Sequence, residues 1–183
     1  MRVLILTLLL SVPALALSKP PAPTDPAVLG AELSRLGGAA FDRAYFTLAV
    51  TRLDATADLT DALAKHADTP ALRKLGQQQA AHARSSSAHA QTALKRLGGP
   101  DLTLATRAQR TLSGFTGGLL GNNDAKRSDQ DLYDRLATAR GQILAVSATA
   151  LTRLSDPHAL AAARDLLQRE ADAYTALRLA APQ

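Results

Sequence analysis

Apolar positions recur at three- and four-residue spacing over long stretches of this chain, the period of a helix with one buried face. Phe41, Tyr45, Leu48, Arg52, Ala55, Leu59, Ala62 and His66 share one such face. Leu72, Leu75, Gln79, His82, Ser86, His89 and Ala93 share another. The pattern predicts a helix from about Ala39 to Ala67 and a second from Pro70 to about Leu97. Thr69 stands at an N-cap position. Pro70 stands at the first helical position, where its missing N–H costs nothing. Gly98-Gly99-Pro100 then stops the second helix.

The device returns further along. Phe41-Asp42-Arg43-Ala44-Tyr45-Phe46 opens the first hairpin. Ser128-Asp129-Gln130-Asp131-Leu132-Tyr133 opens another, which breaks at Ser155-Asp156-Pro157 and resumes to about Ala180. Asp42, Phe46 and Pro70 stand in register with Asp129, Tyr133 and Pro157 at one offset of about 87 residues, an internal repeat. Two helical hairpins predict an all-α fold, a four-helix bundle. The stretch between them holds a predicted short helix (Asp101 to about Leu112). A glycine-rich, partly apolar loop, Gly114–Asn123, follows and is read as packing over one end of the bundle. A helix of about 27 residues is about 40 Å long, a distance this connection can travel. Hairpin, long crossover, hairpin is the ferritin-like arrangement; the alternative is a plain up-down-up-down bundle with a floppy linker.

The N-terminus has the pattern of a secretory signal. Arg2 supplies the positive charge, Val3 to Leu10 the apolar run, and Ala14-Leu15-Ala16 or Ala16-Leu17-Ser18 the cleavage site. The run is shorter than the roughly 20 residues a bilayer span needs. The predicted organisation is a signal peptide at 1–18, a Pro-rich spacer and short helix at 19–38, and the first hairpin at 39–97. The linker follows at 98–127 and the second hairpin at 128–183, with 39–183 one domain. The expected location is periplasmic or secreted, with cleavage near residues 16–18 and no transmembrane segment in the mature chain. The chain has no cysteine, which excludes disulfides, a lipid-modified cysteine and thiolate metal sites.

Charge adds a little to this picture. The chain of 183 residues carries a net charge of +5 and only 3% aromatics. The excess of arginine favours anionic surfaces such as polymers or lipid headgroups. The scarcity of aromatics argues against stacking on nucleic-acid bases, and so against specific nucleic-acid recognition.

Candidate chemistry gathers on the second helix, whose stripe is polar in its middle. Polar groups on a core face are costly unless satisfied. His82 and His89 lie two turns apart, about 10.5 Å on a straight helix, too far to share one ion. His82, with His89 or Asp58 as helpers from another position, is the candidate for a metal ligand; Asp54, Asp58 and Asp61 together read as a solvated face. A di-iron site needs inward carboxylates from all four helices and Glu-x-x-His pairs on two of them. The two glutamates, Glu32 and Glu170, are not followed by a histidine three residues on. Ser85-Ser86-Ser87 lies mid-helix, without the setting of a nucleophile elbow. Arg52 sits on the inward stripe, which predicts an aspartate partner on another helix.

Leu33-Ser34-Arg35-Leu36-Gly37-Gly38-Ala39-Ala40-Phe41-Asp42-Arg43-Ala44-Tyr45 resembles a signature of secreted bacterial ferritin-like helical domains of unknown function. The resemblance covers about residues 33 to 97, with the second half a diverged hairpin. It implies the fold and export. Where those domains carry histidines, this chain has Leu53 and, roughly, Ser86. Where a related group of exported bundles has a His-His pair, this chain has Arg52 and Leu53. That group's Glu and Met correspond roughly to Ser86 and Ala90. The resemblance therefore implies a scaffold whose metal-binding groups are lost.

The resulting expectation is an exported, non-enzymatic helical-bundle protein without a cofactor. It would be a binding or structural component of the cell envelope whose partner is an anionic polymer, lipid headgroups or another envelope protein. The alternative is a ferritin-like periplasmic protein that binds copper, zinc or iron.

Overall fold

The computed structural model describes residues 33–110 and 128–181. The predicted signal segment, the spacer up to residue 32 and the Gly114–Asn123 loop lie outside these residues. The chain is all-α. Among the described residues the four long helices are α1 (Gly38–His66), α2 (Pro70–Arg96), α3 (Asp129–Ala150) and α4 (Pro157–Leu179). No described helix is long and apolar enough to cross a membrane.

Local sequence explains the boundaries. Pro70 and Pro157 open α2 and α4. The Asp156 carboxylate accepts from Ala159 N at 2.8 Å, and the Ser128 hydroxyl from Asp131 N at 3.1 Å, each satisfying an orphan N–H of its first turn. Gly98 and Gly99 have φ of 90° and 84°. Gly99 N donates to Leu94 O and Gly98 N to Lys95 O, the paired bonds of a Schellman ending, which needs a left-handed residue after the helix.

Thr69 occupies the N-cap position of α2 but makes no cap bond with its side chain. Asp129, from the start of α3, accepts from Asp68 N at 2.6 Å and Thr69 N at 3.0 Å, and holds the Thr69 hydroxyl as well. Asp42, from the start of α1, does the same for the other turn. It accepts from Ser155 N at 3.0 Å and from the Ser155 hydroxyl and Asp156 N, each at 2.8 Å. Each hairpin therefore ties down the turn of the other, at positions separated by the same repeat of about 87 residues.

These contacts fix the helix directions. Arg43 in the second turn of α1 donates to Gly99 O and Pro100 O beyond the end of α2. Asp129 at the start of α3 sits on the α1–α2 turn. The end of α2 and the start of α3 thus lie at opposite ends of the molecule. α1 packs on α2 and α3, and α4 packs on α2 and α3, closing a ring. Every neighbouring pair is antiparallel. The short helix at 102–110 covers the end that holds Asp42, burying Leu104 and Ala108. Arg153 closes the same end. It donates to the carbonyls of Leu33, Ser34 and Leu36 and lies 4.3 Å over the Phe41 ring.

The α1–α2 contact is the most extensive of the four. Gly76 is the reason the two backbones can meet. A Cβ there would lie 2.4 Å from Ala64 N and 2.9 Å from Thr60 O.

The apolar core is divided. One cluster, around Phe41, Tyr45, Phe46, Leu53, Ile143 and Leu166, fills the Asp42 end. The other, around Leu59, Leu63, Leu75, Tyr133, Leu136 and Leu177, fills the Asp129 end. Between them lies a polar layer.

Candidate functional site

The polar layer is built from all four helices. Along α3 the inward positions are Leu136, Arg140, Ile143 and Ser147; along α4 they are Leu166, Glu170, Ala173 and Leu177. Arg140 and Glu170 thus stand at the level where one apolar cluster gives way to the other. α2 adds Gln79, His82 and Ser86. α1 adds Arg52 and Thr56, and from two turns nearer its start than Arg52 Tyr45 reaches in.

Arg140 and Glu170 form an ion pair with no solvent exposure on either side chain, Nη1 to Oε2 2.5 Å. Arg140 Nη2 also donates to Gln79 O at 3.2 Å. Gln79 Nε2 donates to Ala173 O at 3.2 Å, holding the α2 side of the layer to α4. The second carboxylate oxygen of Glu170, Oε1, faces His82 Nε2 at 3.4 Å. That distance is at the long edge of a hydrogen bond, and Oε1 has no closer partner.

Burial is the largest influence on both ions, and it acts against charge. It pushes the Glu170 carboxyl up, but the contact with His82, the Arg140 charge and Ser86 outweigh it, so the group is held below the usual glutamate range. Burial also lowers the Arg140 guanidinium, with Glu170 opposing it. Burial, and less strongly the charge of Glu170, push the Tyr45 phenol up to about 12 against the pull of its 2.9 Å hydrogen bond to Ser147. Tyr45 therefore stays a neutral donor.

Ser86, His82 and Glu170 have the residue types of a nucleophile, base and orienting carboxylate. The geometry is wrong for a relay. Ser86 Oγ lies 3.4 Å from His82 Nε2, and Glu170 approaches the same nitrogen. A working base takes the nucleophile's proton on one ring nitrogen while the carboxylate holds the other. Ser86 is also fully buried.

The sequence-derived metal candidates do not converge. His82 is half-buried in the polar layer. His89 lies two turns further along α2 and pairs with Asp165 of α4 at 3.2 Å. Asp58 is exposed on α1; partial burial, then the Asp61 and Asp54 charges, raise its carboxyl. Among the described residues, no group of three or more His, Cys, Asp or Glu is placed to hold one ion.

Arg52 is buried, as its stripe position implies, but its partner is not an aspartate. Its Nη1 donates to Gln142 Oε1 of α3 at 3.1 Å. The charged partner of the layer is instead Glu170, and it belongs to Arg140. The signal for that pair lay in the second hairpin. Arg140 and Glu170 interrupt apolar stripes at helical spacing, as Gln79 and His82 do in α2.

No protein-family model, no curated protein and no solved structure matches this chain.

Proposed function

We propose that the protein is a ferritin-like four-helix bundle that works by binding or as a structural component of the cell envelope, and not as an enzyme. The single observation that carries this reading is the fully buried Arg140–Glu170 pair. Di-iron bundles converge carboxylates from all four helices at mid-height and neutralise them with cations. Here the corresponding level holds one glutamate, and a guanidinium supplies its counter-charge. The antiparallel neighbours and the placement of α3 at the far end from the close of α2 support a hairpin, crossover, hairpin order. The likeness of Leu33–Tyr45 to the secreted ferritin-like signature agrees with that order and with export. An arginine-rich surface favours an anionic partner.

The test is calorimetric titration of the mature chain with copper, zinc and iron(II), together with elemental analysis of protein purified from its native envelope. No heat at micromolar protein and no stoichiometric metal are expected. A second reading, a metal protein, is favoured by the half-buried His82 beside the under-bonded Oε1 of Glu170. Metal binding that disappears in His82→Ala would establish that reading in place of the first. Export is checked by N-terminal sequencing of the envelope protein, which should begin after Ala16 or Ser18.

A further inference from the structure

A cavity of about 290 Å³ opens between the last turns of α2 and the first turns of α4. Its floor is apolar, with Ala93, Leu97 and Ala162. Its wall carries His89 and Arg96 from α2 and His158 from α4. These residues lie outside the polar layer.

The electrostatics of this wall are uneven. His89 already has a carboxylate, Asp165. Asp156 also lines the cavity, but one of its oxygens is occupied as the N-cap of α4, accepting from Ala159 N at 2.8 Å. Among the described residues, no side-chain hydrogen bond or ion pair engages Arg96 or His158, and both are exposed. The surrounding end of the molecule carries Lys95 beside Arg96 and Arg107 and Arg110 on the short helix packed there, together with the carboxylates Asp42, Asp101 and Asp165, which are engaged with their own partners. A guanidinium presents several N–H donors in a planar fork suited to an oxyanion.

We propose that this cavity binds a phosphate-type oxyanion, free or as the headgroup of a lipid, with Arg96 and His158 as donors and the apolar floor receiving whatever chain the anion carries. The inference rests on the reading of the protein as a binding scaffold with an anionic partner, and it gives that partner a place.

The experiment is isothermal titration of the whole mature chain with inorganic phosphate and, separately, with water-soluble dihexanoyl phosphatidic acid. Saturable binding of at least one is expected. Arg96→Gln should weaken it about tenfold or more, the scale of a lost charge-assisted bond. His158→Gln should weaken it by less. Arg164→Gln, an exposed change on α4 outside the cavity, should leave it unaltered. A tenfold preference for the phosphatidic acid assigns the site to a lipid headgroup, because the floor then buries acyl carbon; equal affinity assigns it to free phosphate. Absence of saturable heat with both ligands overturns the proposal. So does an equal loss in Arg164→Gln, which would mean net charge alone. Thermal unfolding of each variant checks that it folds. Failure here leaves the scaffold reading standing, because the metal titration tests that reading in the polar layer.

Discussion

Removing one ion of the buried pair should damage the fold far more than removing both. Arg140 and Glu170 have no solvent exposure and meet at 2.5 Å. Glu170→Gln leaves a guanidinium in the core with no counter-charge, at an expected cost of about 3–5 kcal/mol. Arg140→Met strands the carboxylate at a similar cost, although His82 lies near enough to relieve part of it. For a mature chain of about 165 residues, each kcal/mol moves the melting temperature by about 2–4 °C, so the single variants should melt about 6–20 °C lower. The double variant Arg140→Met, Glu170→Met behaves differently. Arg140 Nε has no hydrogen-bond partner and Glu170 Oε1 has only the long 3.4 Å contact with His82, so the pair does not recover its full desolvation cost. Replacing both with apolar chains should be neutral or stabilising, by up to about 4 kcal/mol. Denaturant unfolding at pH 7, followed by circular dichroism, measures all three variants in one cycle. Single losses below about 1 kcal/mol, or a double variant that costs the sum of the singles, would refute the reasoning.

Gly76→Ala should destabilise by about 1–3 kcal/mol, because its Cβ meets the backbone of α1, whereas Gly141→Ala, with nothing within 4 Å of its new Cβ, should stabilise by about 0.5–1 kcal/mol; chemical denaturation separates them. Asp42→Ala removes the acceptor for Ser155 and Asp156 N–H groups and should cost about 1–3 kcal/mol, with faster amide exchange confined at first to the α3–α4 turn. A spectrophotometric titration should find a tyrosine that ionises only near pH 12, with stability intact below the ordinary phenol value of about 10 and lost as pH rises through 12; Tyr45→Phe should abolish that step. Glu170 runs the other way: its carboxyl is held low, so its contribution is complete above the ordinary glutamate value of about 4.3 and is lost as pH falls through the lowered native value. Acid unfolding should therefore be shallower in the double Met variant than in the wild type.

The candidate site shows where sequence reading stops. His82 and Gln79 were visible as polar residues on an apolar stripe, because spacing alone places them on one face of α2. Arg52 was visible for the same reason, and its burial follows. Its partner was not, because whether Gln142 or an aspartate meets it depends on the rotation and height of α3 against α1. The Arg140–Glu170 pair needed both helices of the second hairpin to be phased. Each ion by itself is one interruption in a stripe, and only their meeting makes the interior tolerate them.

The helical elements and much of their limits come from local sequence. Proline at a first helical position, a side-chain acceptor before it and glycines past an end act within a few residues, so they need no tertiary context. Period and repeat determined which faces turn inward and that Asp42 answers to Asp129. The packing of the helices sets what those two aspartates do, each crossing to the turn of the other hairpin. It also decided that Gly76 is a contact point and not a weakness, and that the core is cut by a charged layer. These are agreements between residues from different helices. Their energy lies in a relative height and rotation that no local pattern encodes.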